Sequence, residues 1–359
     1  AAPAVTPPVA TSQPPLSTGP LVTPPAALLP PPPSPSPAAS EAHDYADAEA
    51  EAGAGAYAEI PAERPPSASA SPSTSPAAGA VKPPVKAVPA PPPAETQVAA
   101  LPTPPRSVFE PAPKAFDGEA PWVKYAVPSP AVKGRPMIAI VIDDLGVDKV
   151  RSNRIVTLPG PLTTAWMTYA DNVAAQAKAA RAAGHELIIH MPMEPLNGSL
   201  DSGPDVLKTT MTPDQVRRQV RAGLSRLEGY VGINNHMGSR FTTDPEGMRV
   251  VIDELRARGL LWLDSKTSPR SVGPKLAEQA GIPFAERHIF LDNVDTLPAV
   301  MAQLAETEKV ARKVGYAIAI GHPHDSTYKA LKQWLPSLED KGLVLVPLST
   351  IVRKRMGHG

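Results

Sequence analysis

Short apolar runs rich in branched residues, each followed by a polar or glycine-containing turn and then a stretch of helical spacing, recur from Pro136 to the end of the chain. MIAIVI at Met137–Ile142 is apolar on every residue, as a strand buried on both faces of a parallel sheet must be. Further runs fall at 162–167, 186–190, 230–234, 260–264, 316–320 and 343–346, with a weaker one near 287–291. Helical segments between them carry their own boundary signals. Asp171 caps NVAAQAKAARAAG and Gly184 stops it; Thr212-Pro213-Asp214-Gln215 reads as a capping box with proline at the first position; Gly259 ends the helix begun at Pro245. Val216, Val220, Leu224 and Leu227 recur on one face of the helix after Thr212. This alternation predicts an α/β fold, a (β/α) barrel of seven or eight parallel strands, with an open doubly wound sheet as the other arrangement.

The chain has 359 residues and 48 prolines, and most of the prolines precede Arg135. Text such as PPAALLPPPPSPSPAAS buries too little apolar surface to offset its ordering entropy and cannot form a hydrogen-bonded ladder. Residues 1–133 are therefore expected to be a disordered Pro/Ala/Ser-rich spacer, partly polyproline II, and 134–359 one folded domain. The acidic interlude EAHDYADAEAEAGAGAYAEIPAE favours helix by composition but has no apolar stripe to pack. Lys plus Arg and Asp plus Glu both number 35, and no basic stripe is interleaved with aromatics, which argues against nucleic acid as a partner. With no cysteine the chain has no disulfide and no thiolate metal ligand. The chain opens on Ala1 and holds no apolar run long enough to span a bilayer. A spacer of this length suits a module in the periplasm or cell envelope, tethered to the inner membrane through a segment ahead of Ala1; a linker to another domain fits the composition equally well.

Polar groups that carry chemistry stand where the apolar runs end: Asp143 and Asp144, His190, Asn234 to His236, Asp264, Asp292, His322 and His324. In a parallel barrel these ends share one rim, so residues distant in sequence converge. Adjacent carboxylates suit a split task, one holding a cation and the other serving as a base. Asp144, His190 and His236 together form a two-imidazole, one-carboxylate set that fits a divalent ion, zinc first. Taken singly, Asp143 and Asp144 could merely cap a helix, and His190 could be a satisfied core histidine. Trp166, Trp262 and Tyr169 near the rim could stack on a sugar, though core packing is the commoner fate of such tryptophans. His288 and His324 are weaker site candidates. His185 is expected to be a cation at a helix C-terminus, and Arg353, Lys354 and Arg355 a solvated basic tail.

The ordered motifs IDDLG, IHMPMEP, NNHMGSR, LDSKTS, FLDN and AIGHPH resemble those of the divergent polysaccharide deacetylases, distant relatives of the NodB-like carbohydrate esterases, over Pro136 to about Arg353. The resemblance implies Asp143 as general base, Asp144 and His190 as metal ligands, and His322 as the acid that protonates the leaving amine. It also implies Arg240 and Asp264 as the polar pair that orients the base. One departure stands out: Glu194 occupies the place of a second histidine, leaving the third ligand to either His236 or Glu194, with His236 preferred because neutral nitrogen suits zinc. The implied function is metal-dependent removal of N-acetyl groups from an acetylated envelope glycan such as peptidoglycan. Two other readings compete: a non-catalytic envelope protein that binds glycan or a cell-wall or division enzyme, and a metal hydrolase of another amide or ester.

Overall fold

The computed structural model describes residues 115–357. The expected spacer over 1–114, with its acidic interlude, lies outside the described residues.

Nine parallel strands organise the domain. β1 (Met137–Leu145), β2 (Thr163–Met167), β3 (Glu186–Met193), β4 (Gly232–Met237) and β5 (Leu261–Asp264) pair in sequence order, with β6 (Phe284–Glu286) beyond β5. On the other side of β1 lie β8 (Tyr316–Gly321) and then β7 (Ile289–Phe290), while β9 (Val344–Leu345) pairs with the start of β1. Helices α2 (Lys149–Val156), α3 (Val173–Ala182), α4 (Pro213–Leu224), α5 (Pro245–Arg258), α6 (Gly273–Ala280), α7 (Leu297–Val314) and α8 (Asp325–Trp334) fill the crossovers. The capping box at Thr212 forms as expected, with Gln215 N–H donating to the Thr212 hydroxyl and the Gln215 side chain accepting from Thr212 N–H.

The sheet is open and curled, a half-barrel, where a closed ring was expected. Its two edges, β6 and β7, are successive lengths of one stretch of chain, separated by Arg287 and His288. These two residues bond one at a time: Arg287 N–H donates to Asp264 O at 3.0 Å, and His288 N–H to Ile318 O at 2.8 Å. The His288 ring then accepts from Ile318 N–H through Nδ1 at 3.1 Å, replacing a carbonyl with a side chain. The stretch thus changes partner at this point, from β5 to β8. His288 serves the sheet, with its ring edge-on to Tyr316 at the start of β8.

Both sheet faces are buried, and period two decides which residue faces where. Ile138, Ile140, Ile142, Trp166, Leu187, Ile189 and Trp262 face the helices. Ala139, Val141, Ala165, Ile188, Leu261, Leu263, Ile318 and Ile320 line the concave side. Trp166 and Trp262 are fully buried, so neither offers a stacking surface. His185 is buried too, and neutral rather than cationic: Nδ1 accepts from Leu162 N–H, Nε2 faces Val156 O, and burial pulls its pKa down.

The end opposite the strand C-termini is closed by two helices. Residues 115–133, assigned to the spacer by composition, contribute α1 (Pro121–Lys124), whose Trp122 packs with Leu348, Ile351 and Val352 of α9 (Leu348–Arg355). Trp122 N–H donates to Gly259 O, and the Arg181 guanidinium to Tyr125 O. Of the three basic residues expected to be solvated, Lys354 is exposed, while Arg353 covers the face of Trp122 and Arg355 that of Phe284. Glu186 knots this end together. Its buried carboxylate accepts from Ser349 N–H at 2.9 Å, from the Ser349 hydroxyl and from the Thr163 hydroxyl at 3.4 Å. Removing it leaves those donors buried and unpaired, so Glu186→Ala should cost about 3 kcal/mol of stability, read as a lower urea midpoint. Metal uptake at the far rim should be unchanged, and a midpoint equal to the parent's would show the knot to be dispensable.

Candidate metal centre

β1 carries one residue too many at its end. Ile142 is in register with Thr164 and Leu145 with Trp166, so three steps on β1 match two on β2. This bulge falls on Asp143 and Asp144, and Asp144 takes a left-handed conformation at φ 57°. In a regular strand two neighbours point to opposite faces; here both carboxylates reach the same rim. Met237 after His236 and Lys266 after β5 share the left-handed conformation, so three strand ends around this point hold strained backbone.

Asp144 Oδ1 lies 2.9 Å from His236 Nδ1 and 3.2 Å from His190 Nε2, and the two imidazole nitrogens are 3.2 Å apart. These three donors form a cluster able to hold a metal ion. Bonds of about 2.0–2.1 Å in a tetrahedral zinc site set ligand atoms about 3.3 Å apart, close to the spacing seen. Asp144 Oδ1 is also buried with no hydrogen-bond partner, although both imidazoles crowd it. A cation at the meeting point would satisfy all three atoms at once. His190 Nδ1 meets Asn234 Oδ1 at 2.8 Å, which fixes the ring and leaves Nε2 to the cluster.

The same Asn234 amide donates to both oxygens of Asp143, at 2.9 and 3.0 Å, and to the Ser265 hydroxyl. Burial pushes the Asp143 carboxyl above the usual range, with Asp144 adding to the rise and His190 and His322 opposing it. Burial works on Asp144 in the same sense, but His236 and His190 outweigh it and hold that carboxyl well below the usual range. Neighbouring carboxylates are thereby pushed apart, as in sites where one acts as acid or base and the other stays ionised. His322 completes the rim from β8, its Nε2 4.0 Å from Asp144 Oδ2. Its Nδ1 meets Asp292 Oδ1 at 3.0 Å, and its backbone N–H and the Thr327 hydroxyl both donate to Asp292 Oδ2 at 2.6 Å. Burial alone would lower the His322 pKa, but Asp292 overcomes it and pushes the imidazole up to about 10. Asp292, His322 and His324 form a second donor cluster.

Two expected members stand elsewhere. Asp264 follows the outward parity of β5, which sends Leu261 and Leu263 inward; its carboxylate accepts from Lys266 N–H and the Ser271 hydroxyl, away from Asp143. Arg240 is exposed and donates to Leu196 O at 3.1 Å, with its Nε 3.6 Å from Glu194. The group on Asp143 is Asn234, and the group on His322 is Asp292. Both were visible as polar strand ends, but the contact of Asn234 follows from its in-register pairing with His190, which the sequence alone does not show. Glu194 is turned from the cluster, accepting from Thr209 N–H at 2.7 Å and the Thr209 hydroxyl at 2.8 Å.

Residues 140–352 match the model of the divergent polysaccharide deacetylases, well over half of the chain. The chain belongs to that family. Among relatives of this deacetylase family member, the uncharacterized protein YibQ of Escherichia coli K12 is 32% identical over 229 residues, 64% of this chain and 70% of that one. An uncharacterized protein of Haemophilus influenzae is 36% identical over 209 residues, 58% of this chain and 74% of its own. The crystal structure of the uncharacterized protein ATU2773 from Agrobacterium tumefaciens C58 superposes with a TM-score of 0.63 at 25% identity, covering 66% of this chain and 98% of that one. The matched span contains every residue of both donor clusters.

The donor geometry makes an expectation about occupancy. His190→Ala and His236→Ala should each abolish stoichiometric zinc or cobalt uptake measured by elemental analysis, whereas Glu194→Ala should retain it. Equal metal content in all three variants would refute this ligand set.

Proposed function

We propose that this protein is a metal-dependent hydrolase that removes N-acetyl groups from amino sugars of a cell-envelope glycan, with peptidoglycan or its fragments first. The observation that carries the proposal is the convergence of Asp144, His190 and His236 on one point, flanked by a carboxyl with a raised pKa and a charged imidazole. Asp144, His190 and His236 would hold the ion, and two neutral nitrogens with one carboxylate favour zinc. When bound, such an ion polarises the acetamide carbonyl and lowers the pKa of water.

Every other step belongs to the chain. Asp143, aligned by Asn234, takes a proton from the attacking water as its oxygen adds to the carbonyl carbon. The carbonyl electron pair moves onto oxygen. When that tetrahedral species collapses, the C–N bond breaks and His322 gives its proton to the departing nitrogen, leaving acetate and a free amine. Asp292 keeps His322 charged until then. Asn234 and Asp292 are positioning residues, replacing Asp264 and Arg240 in the set read from sequence.

A non-catalytic reading drew support from Glu194 in the second motif. Glu194 braces a loop and takes no donor from the cluster, so the departure does not weaken the site. Location in the periplasm or envelope, a tether to the inner membrane through a segment ahead of Ala1 and a cell-wall enzyme as partner are parts of the proposal, supported by the spacer's composition. Among the described residues no helix is long and apolar enough to cross a membrane.

Acetate release from N-acetylated peptidoglycan fragments by the zinc-loaded protein tests the proposal. Release should stop on chelation and fall about 100- to 10,000-fold in Asp143→Asn with metal content intact. The active form has Asp143 ionised and His322 protonated. Activity should therefore rise with pH as Asp143 loses its proton and fall as His322 loses its own near pH 10. Asp292→Asn should move that alkaline limb to lower pH. A metal-loaded protein that releases no acetate would overturn the proposal.

A further inference from the structure

We propose that Tyr169 donates a hydrogen bond to the acetamide carbonyl oxygen as it becomes an oxyanion, and that the loop between β3 and α4 sets the position of its phenol. The inference rests on the deacetylase reading and adds to it a residue that no motif marks.

Hydrolysis of an amide needs donors aimed at the developing oxyanion. The polar groups around the rim are mostly committed. Asn234 serves Asp143; the Asn235 amide and the Thr267 hydroxyl both donate to Met237 O, at 2.7 and 2.9 Å; Arg240 serves Leu196 O. Tyr169 stands two residues beyond Met167, which is in register with His190 across the β2–β3 ladder. Its hydroxyl is spent on no acceptor among the described residues. The ring is half-buried, and burial is the largest of the causes that push its pKa up, so the phenol keeps its proton and is able to donate.

The loop over Tyr169 is tied at its base and its tip. At the base Glu194 N–H donates to Leu207 O and Leu207 N–H to Pro192 O, both at 2.9 Å, while Glu194 O accepts from Arg240 and Phe241 N–H. With the Thr209 and Arg240 contacts already described, the Glu194 carboxylate joins both loop ends to the segment after His236. At the tip the buried Ser202 hydroxyl meets Met237 Sδ at 3.2 Å, and Asp201 accepts from Gly203 N–H at 2.9 Å. Gly203 then lies directly on the phenol: a Cβ there would come within 2.6 Å of the ring and 2.8 Å of the hydroxyl. Gly203 also has φ +75°, so only glycine fits both the turn and the contact. Hence the loop holds the phenol without covering it with a side chain.

Tyr169 bonds the oxygen while it carries negative charge and keeps its own proton throughout; water's proton still goes to Asp143 and the leaving nitrogen still takes its proton from His322. An interaction made chiefly in the transition state shows in kcat rather than KM. In the full-length zinc-loaded protein, Tyr169→Phe should lower kcat for acetate release about 100-fold, with KM within about twofold and zinc content unchanged. Gly203→Ala, which shifts the phenol without removing it, should lower kcat in the same direction. A second measurement needs no turnover: calorimetric binding of the N-methylphosphonamidate of glucosamine, a tetrahedral mimic, should weaken at least tenfold in Tyr169→Phe.

Unchanged kcat in Tyr169→Phe, or a rise in KM alone, would overturn the inference. So would equal binding of the mimic by both proteins, or binding by neither. Tyr169-dependent binding of the mimic by a wild-type protein that releases no acetate would sustain the inference and refute deacetylation of the tested glycan.

Discussion

The β-bulge at the end of β1 is the constraint on which the rest of the site depends. Without the extra residue and the left-handed turn at Asp144, one of the two adjacent carboxylates would point into the helical layer. With it, Asp143 continues the concave face begun by Ala139 and Val141, and Asp144 reaches across to two imidazoles from β3 and β4. Backbone strain of this kind costs roughly 1–3 kcal/mol per residue and survives only where surrounding structure enforces it. Here the enforcement comes from two flanking parallel ladders, β8 on one side of β1 and β2 on the other.

Asn234 then makes the site a unit. One amide group orients His190 through its oxygen and Asp143 through its nitrogen, so the ring that would hold a cation and the carboxyl that would take a proton are fixed by one side chain. The alternation of β4 makes this possible, because Asn234 and His236 both face inward while Ile233 packs outward. A buried amide can serve two titratable neighbours because it offers an acceptor and a donor without adding charge. Asp292 does the parallel service for His322, and its own carboxylate is satisfied by a backbone N–H and a threonine hydroxyl. The outcome is an ionised Asp144, an Asp143 drawn toward the neutral form and a charged His322 within one small rim.

The place of Glu194 shows how a motif position can change use without dismantling a site. In a resembling enzyme this position would hold a ligand; in this chain the third donor comes from His236, and the carboxylate is released to tie a loop. That loop leans on Met237 and Tyr169, so the wall around the site and the donor set are built from the same few strand ends. At the opposite end α1, α9 and Glu186 close the half-barrel, which separates the work of stability from the work of chemistry.

The sequence by itself determined the alternating α/β class, most strands, the capped start of α4 and the set of polar strand ends, because burial on both faces of a parallel sheet and helix capping are local requirements written in adjacent residues. It also carried the family, through motifs whose order survives divergence. The tertiary structure decided what depends on parity, register and closure: that Asp264 faces outward and Arg240 serves a loop, that Asn234 bonds Asp143 and Asp292 bonds His322, and that the sheet stays open where one stretch of chain changes partner from β5 to β8. It also brought residues 115–133 into the domain through Trp122 and turned the C-terminal arginines onto aromatic rings. Composition could not reveal these contacts, since the groups that meet are separated by long stretches of chain and are brought together only by the curl of the sheet.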